Sequence, residues 1–221
     1  MLIRKAQEGV KVKFINENIA NLPIGHRYFR QWRDTHLRIE GDAVASLQLI
    51  FLNSWGISGG KREEPYPFYF PEPEHVADGK LIQIIADEPG LNFHPIETSY
   101  QWALLHAQDY FYIQTPYFVP SKPVLSALKA AARSEVDVRV MIPANADTFF
   151  MGPANKSFFR ECLASGIRIF LREGEFMHAK TFVTDDYLSS VGTANMDNRS
   201  FSLSQYLPII SVVIGSVSDT S

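Results

Sequence analysis

The stretch "ALKAAARSEVDVRVMIP" runs from Ala127 to Pro143 and changes its period halfway. It opens as a short amphipathic helix, turns near Ser134–Glu135, and then alternates as Val136, Val138 and Val140. Helical spacing followed by a period of two is an α→β unit. The same switch occurs twice more. "LIRKAQEGVKVKFI" from Leu2 ends in Val10, Val12 and Phe14, and "FFRECLASGIRIFL" from Phe158 ends in Ile167, Ile169 and Leu171. Repeated units of this kind predict an α/β chain with a mostly parallel sheet and helices packed on its faces.

Other elements read outward from that frame. Helices are expected over Ala43–Gly56, Glu97–Asp109 and Lys122–Ser134, the last with an early proline. Strands are expected over Thr35–Ile39, Leu81–Ala86 and Tyr110–Phe118, the latter two apolar enough to be central. "AKTFVTD" should turn at Asp185–Asp186 into "YLSSVGT". Gly59–Lys80, rich in Pro, Gly and charge, reads as a linker between two lobes.

The chain has 221 residues, 46% of them hydrophobic, enough for one large domain or two small ones with a sizeable core. The net charge of −3, with basic residues dispersed, argues against nucleic acid as the main partner. The single cysteine, Cys162, excludes an internal disulfide. The polar start does not read as a secretory signal. The longest apolar run, Tyr206–Gly215, is about half the length of a membrane span. Membrane contact is therefore expected to be peripheral in this chain.

The chemistry concentrates in "HAKTFVTDDYLSSVGTANMDNRS", His178 to Ser200. His178, Lys180 and Asp185 fall at H-x-K-x4-D, and Gly192, Thr193, Asn195 and Asp197 follow. Phosphodiester transfer needs a nucleophile or proton carrier and fixed positive charge on the non-bridging oxygens. His178 suits the first role. Lys180, two residues on, shares its face on a strand and can hold a phosphate oxygen. Asn195 and Thr193 add donors, Gly192 permits close backbone approach, and Asp185 suits an orienting role at the turn. Lys180 and Asn195 carry the charge stabilisation, so no metal or other cofactor is expected. A lone His on a strand is usually structural; agreement at seven offsets outweighs that here.

These residues resemble the second signature motif of the phospholipase D superfamily, and more narrowly of bacterial cardiolipin synthases. "WRDTHLRIEG" (Trp32–Gly41), "YIQTPYFVP" (Tyr112–Pro120) and "VDVRVMIPANAD" (Val136–Asp147) are similar to that subfamily's phrases. The resemblance implies a phospholipase D-like α/β/α sandwich of two similar lobes, each giving one histidine to a central cleft. One histidine is phosphorylated and the other carries protons. His178, in the second lobe, takes the proton-transfer role. The substrate class is phosphatidylglycerol, with two molecules giving cardiolipin and glycerol. The place implied is the bacterial cytoplasmic membrane, held peripherally.

The chain departs from that pattern in two places. No first H-x-K is present: His26, His36, His75, His94 and His106 all fail the spacing. The sequence jumps across Asn16–Gly25, which implies a truncated first lobe. The expected division is a first-lobe remnant at 1–58, a linker at 59–80 and a second lobe at 81–221. Where the family's acidic residue would orient His178, this chain has Ser204, Gln205 and Tyr206. Asp34 stands where the lost histidine's acid would be, so the His–carboxylate pair is expected to be incomplete in both lobes.

Asp34 and Gln114 are cleft candidates. Trp32 and Arg33 could line the cleft or make a surface pair beside a buried Trp. Tyr117 could reach the site from the same strand end as Gln114, with the core as its favoured place; the Phe pairs at 149–150 and 158–159 are expected in the core, with acyl-chain contact near the cleft mouth as the alternative, and Asp197 with Arg199 should hold a turn. Two rival readings stand beside the transferase: a single-motif phosphodiesterase or nuclease completed by homodimerisation, and an inactive remnant.

Overall fold

The computed structural model describes residues 2–9, 12–13, 32–72, 80–87, 93–147, 151–197 and 209–215. The Asn16–Gly25 junction, Val10, Phe14, Phe149, Phe150, Arg199 and Ser204–Tyr206 lie outside the described residues, as do residues 73–79 of the linker.

Six α-helices are described: α1 (Leu2–Gln7), α2 (Ala43–Ile57), α3 (Pro95–His106), α4 (Lys122–Arg133), α5 (Met151–Ser157) and α6 (Phe159–Leu163). The main sheet contains β2 (Leu81–Asp87), β3 (Tyr110–Gln114), β5 (Asp137–Pro143), β6 (Arg168–Arg172), β8 (Thr181–Thr184), β9 (Leu188–Gly192) and β11 (Ile209–Gly215), in the order β2-β11-β9-β8-β3-β5-β6. Two short parallel pairs sit apart from it: β1 (Trp32–Arg33) with β7 (Phe176–Met177), and β4 (Phe118–Val119) with β10 (Met196–Asp197).

The α→β units at α4–β5 and α6–β6 give the expected parallel pairings, β3 to β5 and β5 to β6. From β3 outward the pairings are antiparallel, through β8, β9, β11 and β2. The sheet is thus mixed, with a smaller parallel part than the repeated units suggest. β2 is an edge strand rather than a central one, because β11 lies between it and β9. The run Ile209–Gly215, apolar on both faces, suits a strand paired on both sides. Thr35–Ile39 joins no ladder. Its alternation has no buried face to serve: Thr35 and Ile39 are half-buried, and Leu37 is exposed.

The principal core joins α3, α4 and α6 to one face of the sheet. Phe111, Ile113, Val138, Val140, Ile142 and Phe182 meet Ile96, Leu104, Val124, Leu128 and Cys162 there. Phe158 and Phe159 pack against it, as expected. Each such apolar side chain contributes about 1.5–3 kcal/mol by burial. Local signals set the helix ends. Ser121 Oγ accepts the Val124 N–H, and Asp87 Oδ1 at the end of β2 accepts the Ile96 N–H at the start of α3. α2 packs against β2. Beside it, Trp55 Nε1 donates to Lys61 O, and the Lys13 ammonium lies 5.1 Å from the Trp55 ring centre. No helix among the described residues is long and apolar enough to cross a membrane.

Candidate active site

The site is built where β1 meets β7. Trp32 pairs with Phe176 and Arg33 with Met177, and the His178 N–H extends the ladder to Arg33 O at 2.8 Å. A period of two then places Trp32 and Asp34 on the same side as Phe176 and His178. The Asp34 carboxylate meets His178 Nδ1 at 2.9 Å. Its other oxygen accepts the Thr35 N–H at 2.8 Å. The Trp32 indole stacks on the imidazole, ring centres 4.3 Å apart.

This overturns the expectation that His178 lacks an acidic partner. The carboxylate read from sequence as belonging to the lost histidine is the one that holds His178. The pairing follows from the β1–β7 ladder, which spacing along the chain does not reveal.

Lys180 is 7% exposed. Its Nζ donates to His178 O at 2.6 Å and lies 2.9 Å from both ring nitrogens. Burial opposes ionisation of Asp34, but the His178 hydrogen bond, the Thr35 N–H and the Lys180 charge outweigh it and keep its carboxyl below the usual value. An ionised Asp34 requires a proton on Nδ1, so Nε2 carries the lone pair. Burial lowers the His178 pKa, with the Lys180 charge adding to it against the pull of Asp34 and Asp147. The ring is therefore mainly neutral near pH 7. Burial also brings the Lys180 ammonium down to about 8, while Asp34, Asp197 and Asp147 hold it up. A neutral imidazole with a bare Nε2 next to a buried cation can exchange protons with an alcohol while the cation holds an anionic oxygen.

The other predicted residues divide. Asn195 comes to the Lys180 end of the sheet: Gly192 N–H donates to Lys180 O at 3.0 Å, and the Met196 N–H after Asn195 is held by Thr115 Oγ1 at 3.1 Å. Asn195 itself is half-buried. Thr193 does not join it. Its hydroxyl accepts the Ile210 N–H at 3.0 Å and donates to Ile210 O at 3.3 Å, closing the β9–β11 ladder. Gly192 lets β11 come close, since a Cβ there would lie 2.5 Å from Ile210 O.

Asp185 holds the turn, as its place in the sequence suggests. It sits past the far end of β8, at φ 48°, and its carboxylate accepts the N–H groups of Gln108, Asp109 and Tyr110 at 2.7, 3.0 and 2.8 Å. It secures the entry to β3. Gln114 pairs with Thr181, next to Lys180. The register puts it on the sheet face of Tyr112 and Val183, opposite the core face of Phe182.

Asp147 was missed, and Tyr117, weighed between the site and the core, donates its hydroxyl to Asp147 Oδ2 at 2.6 Å. The Asp147 charge acts on both His178 and Lys180. A usable signal existed, because Asp147 follows the C-terminal end of a parallel strand, where α/β folds gather their sites.

Residues 102–211 match the family described as cardiolipin synthase, PLD-like domain. Cardiolipin synthase 1 of Staphylococcus aureus (strain COL) is 41% identical over 187 residues, 84% of this chain and 38% of the relative. The cardiolipin synthase of Geobacillus kaustophilus is 42% identical over 188 residues, 84% of this chain and 37% of the relative. The chain thus spans less than two fifths of the length of these relatives. A solved structure, the phospholipase D family member Nuc from Salmonella typhimurium, aligns at a TM-score of 0.49 and 19% identity, covering 63% of this chain and 85% of that one.

Proposed function

The chain belongs to the cardiolipin synthase branch of the phospholipase D superfamily, and from that premise we propose that it takes part in phosphatidyl transfer by phosphodiester exchange. The substrate is phosphatidylglycerol, and two molecules give cardiolipin and glycerol. One observation carries the reading: His178 is held at Nδ1 by Asp34, leaving Nε2 beside the Lys180 ammonium.

In the first half-reaction, a nucleophilic histidine from a second copy or another chain attacks phosphorus. The bond from phosphorus to the terminal glycerol oxygen breaks, and the leaving alkoxide takes a proton from Nε2 of the His178 imidazolium, which leaves the ring neutral with its proton on Nδ1. In the second, the hydroxyl of another phosphatidylglycerol gives its proton to Nε2 and attacks the phosphohistidine, and the P–N bond breaks. Asp34 stabilises the imidazolium from which the first step starts and to which the second returns. Lys180 leaves the ring to hold a non-bridging oxygen, and the Asn195 amide supports a second. Trp32 covers one ring face, so the lipid phosphate reaches Nε2 from elsewhere.

The partner histidine comes from a second copy or another chain, with residues 1–58 as a first-lobe remnant, 59–80 as linker and 81–221 as the second lobe. The lipid substrate places the protein peripherally at the bacterial cytoplasmic membrane. The test is conversion of short-chain phosphatidylglycerol to cardiolipin and glycerol, measured alongside the mass in solution. Wild type should turn over and His178→Ala should not. Equal rates for the two, or an inert wild type at every concentration tried, would overturn the reading.

A further inference from the structure

Outside the H-x-K motif, one carboxylate bears on the same pair of groups. Asp147 lies in the loop after β5, and β5 packs against β7, the strand that leads into His178. Its Oδ1 is buried, and its Oδ2 receives the Tyr117 hydroxyl at 2.6 Å. That hydrogen bond is charge-assisted and belongs to the stronger class.

Tyr117 stands in a connection tied on three sides. Thr115 Oγ1 donates to Tyr117 O at 2.8 Å and accepts the Met196 N–H from β10. The Thr115 N–H donates to Met141 O in β5 at 3.1 Å. The Phe118 N–H donates to the buried Asn155 Oδ1 of α5 at 2.8 Å. The phenol is therefore a fixed post. A carboxylate on such a post keeps its direction, where one on a bare loop would turn to water.

In the β3–β8 register Gln114 faces Thr181, so Lys180 lies across from Thr115, two residues before Tyr117, and the Tyr117–Asp147 hydrogen bond stands at the Lys180 end of the sheet. Asp34 after β1, Asp197 in β10 and Asp147 after β5 all favour the Lys180 cation. Asp34 is already committed to the His178 ring, and Asp147 is committed to a tyrosine. Asp147 can therefore act on Lys180 without competing for His178 Nδ1.

We propose that Tyr117 and Asp147 form a positioning pair for the reaction, in which Tyr117 anchors Asp147 and Asp147 holds the Lys180 ammonium as a cation beside His178. The inference rests on the reading of Lys180 as the phosphate-holding group. Neither residue touches the reacting atoms.

The test reads Lys180 directly. Protein carrying 13C at the lysine ε-carbon is titrated by NMR, with the Lys180 signal assigned by its loss in Lys180→Arg. Folding of each variant is checked by urea unfolding. Asp147→Asn should lower the Lys180 midpoint by about half a pH unit, about a threefold change in the proton equilibrium. Asp147→Glu should restore it, and Tyr117→Phe should give a smaller decrease in the same direction. Binding of inorganic phosphate, followed by calorimetry, should lose half its strength at a correspondingly lower pH in Asp147→Asn. An unmoved Lys180 midpoint in a folded Asp147→Asn overturns the pair. If Asp147→Asn does not fold, Tyr117→Phe decides: an unchanged midpoint there overturns it as well. Should the wild type make no cardiolipin while these midpoints shift as stated, the functional reading fails and the positioning pair stands.

Discussion

The two ends of β8 carry the two halves of one sequence motif, and they do different work. At the leading end, His178 and Lys180 turn their polar groups toward one another, Asp34 and the indole of Trp32. At the trailing end, Asp185 spends its carboxylate on three backbone N–H groups ahead of β3. The first end leaves a lone pair and a cation for chemistry. The second satisfies donors that would otherwise be left open at a turn. A motif spacing therefore does not imply a shared role.

Substitutions should separate the two ends. His178→Ala should reduce phosphatidyl transfer by about 10³-fold while the urea midpoint stays within error, because a half-buried imidazole adds little to the core. Asp34→Asn comes next. It keeps the shape but no longer demands a proton on Nδ1, and transfer should fall by about 10²-fold. Its diagnostic is the pH profile. In wild type the neutral His178 is lost as pH falls below its lowered pKa, which lies under 6.5, and the Lys180 charge is lost as pH rises through about 8. The first half-reaction needs the imidazolium and the second the neutral ring, so activity should peak near the His178 pKa and fall on the alkaline side as that imidazolium and then the Lys180 charge are lost. Without the Asp34 charge the alkaline limb should move to lower pH, since that carboxylate is the first of the groups that support Lys180. A profile that keeps the wild-type alkaline limb would break the link between β1 and the β8 site.

How much of this could be read beforehand depends on how local each determinant is. Helices α2, α3 and α4, the β8–β9 hairpin and the α→β order are written in periods and caps that neighbouring residues set, so their sequence reads correctly. The central place of β11 depends on strands far along the chain, and its apolar run looked only like a failed span. The site divides in the same way. His178, Lys180 and Asn195 sit in one stretch and were found. Asp34 was found as a residue but given to a different histidine, because its pairing needs the β1–β7 register. Tyr117 and Asp147 are 30 residues apart in sequence and meet only once β3 and β5 lie side by side. Thr193 and Gly192 make close contacts with β11, which composition alone does not reveal.

At the trailing end the readout is stability. Asp185→Asn should lower unfolding free energy by about 1–3 kcal/mol, with transfer per folded molecule unchanged. A loss of transfer without a loss of stability would return Asp185 to the chemistry and dissolve the contrast between the two ends.

The smallest effect is the pH dependence of that loss. Burial opposes ionisation of Asp185, but the Tyr110, Gln108 and Asp109 N–H groups, with Thr184, outweigh it and keep its pKa below 3.8. A carboxyl depressed in the folded state contributes stability that is fully present above its unfolded value and is lost as pH falls through its folded value. The gap in unfolding free energy between wild type and Asp185→Asn should therefore hold steady from pH 7 to about 5 and narrow below about 4. Asp34 is depressed as well and should narrow its own gap in the same range, so the comparison is made in the Asp34→Asn background, where of the two ends of β8 only the trailing one keeps a depressed carboxyl. A gap that stays constant down to pH 2 would mean that the amide serves the three N–H groups as well as the carboxylate does. The trailing end would then depend on the shape of the side chain, and its charge would be incidental.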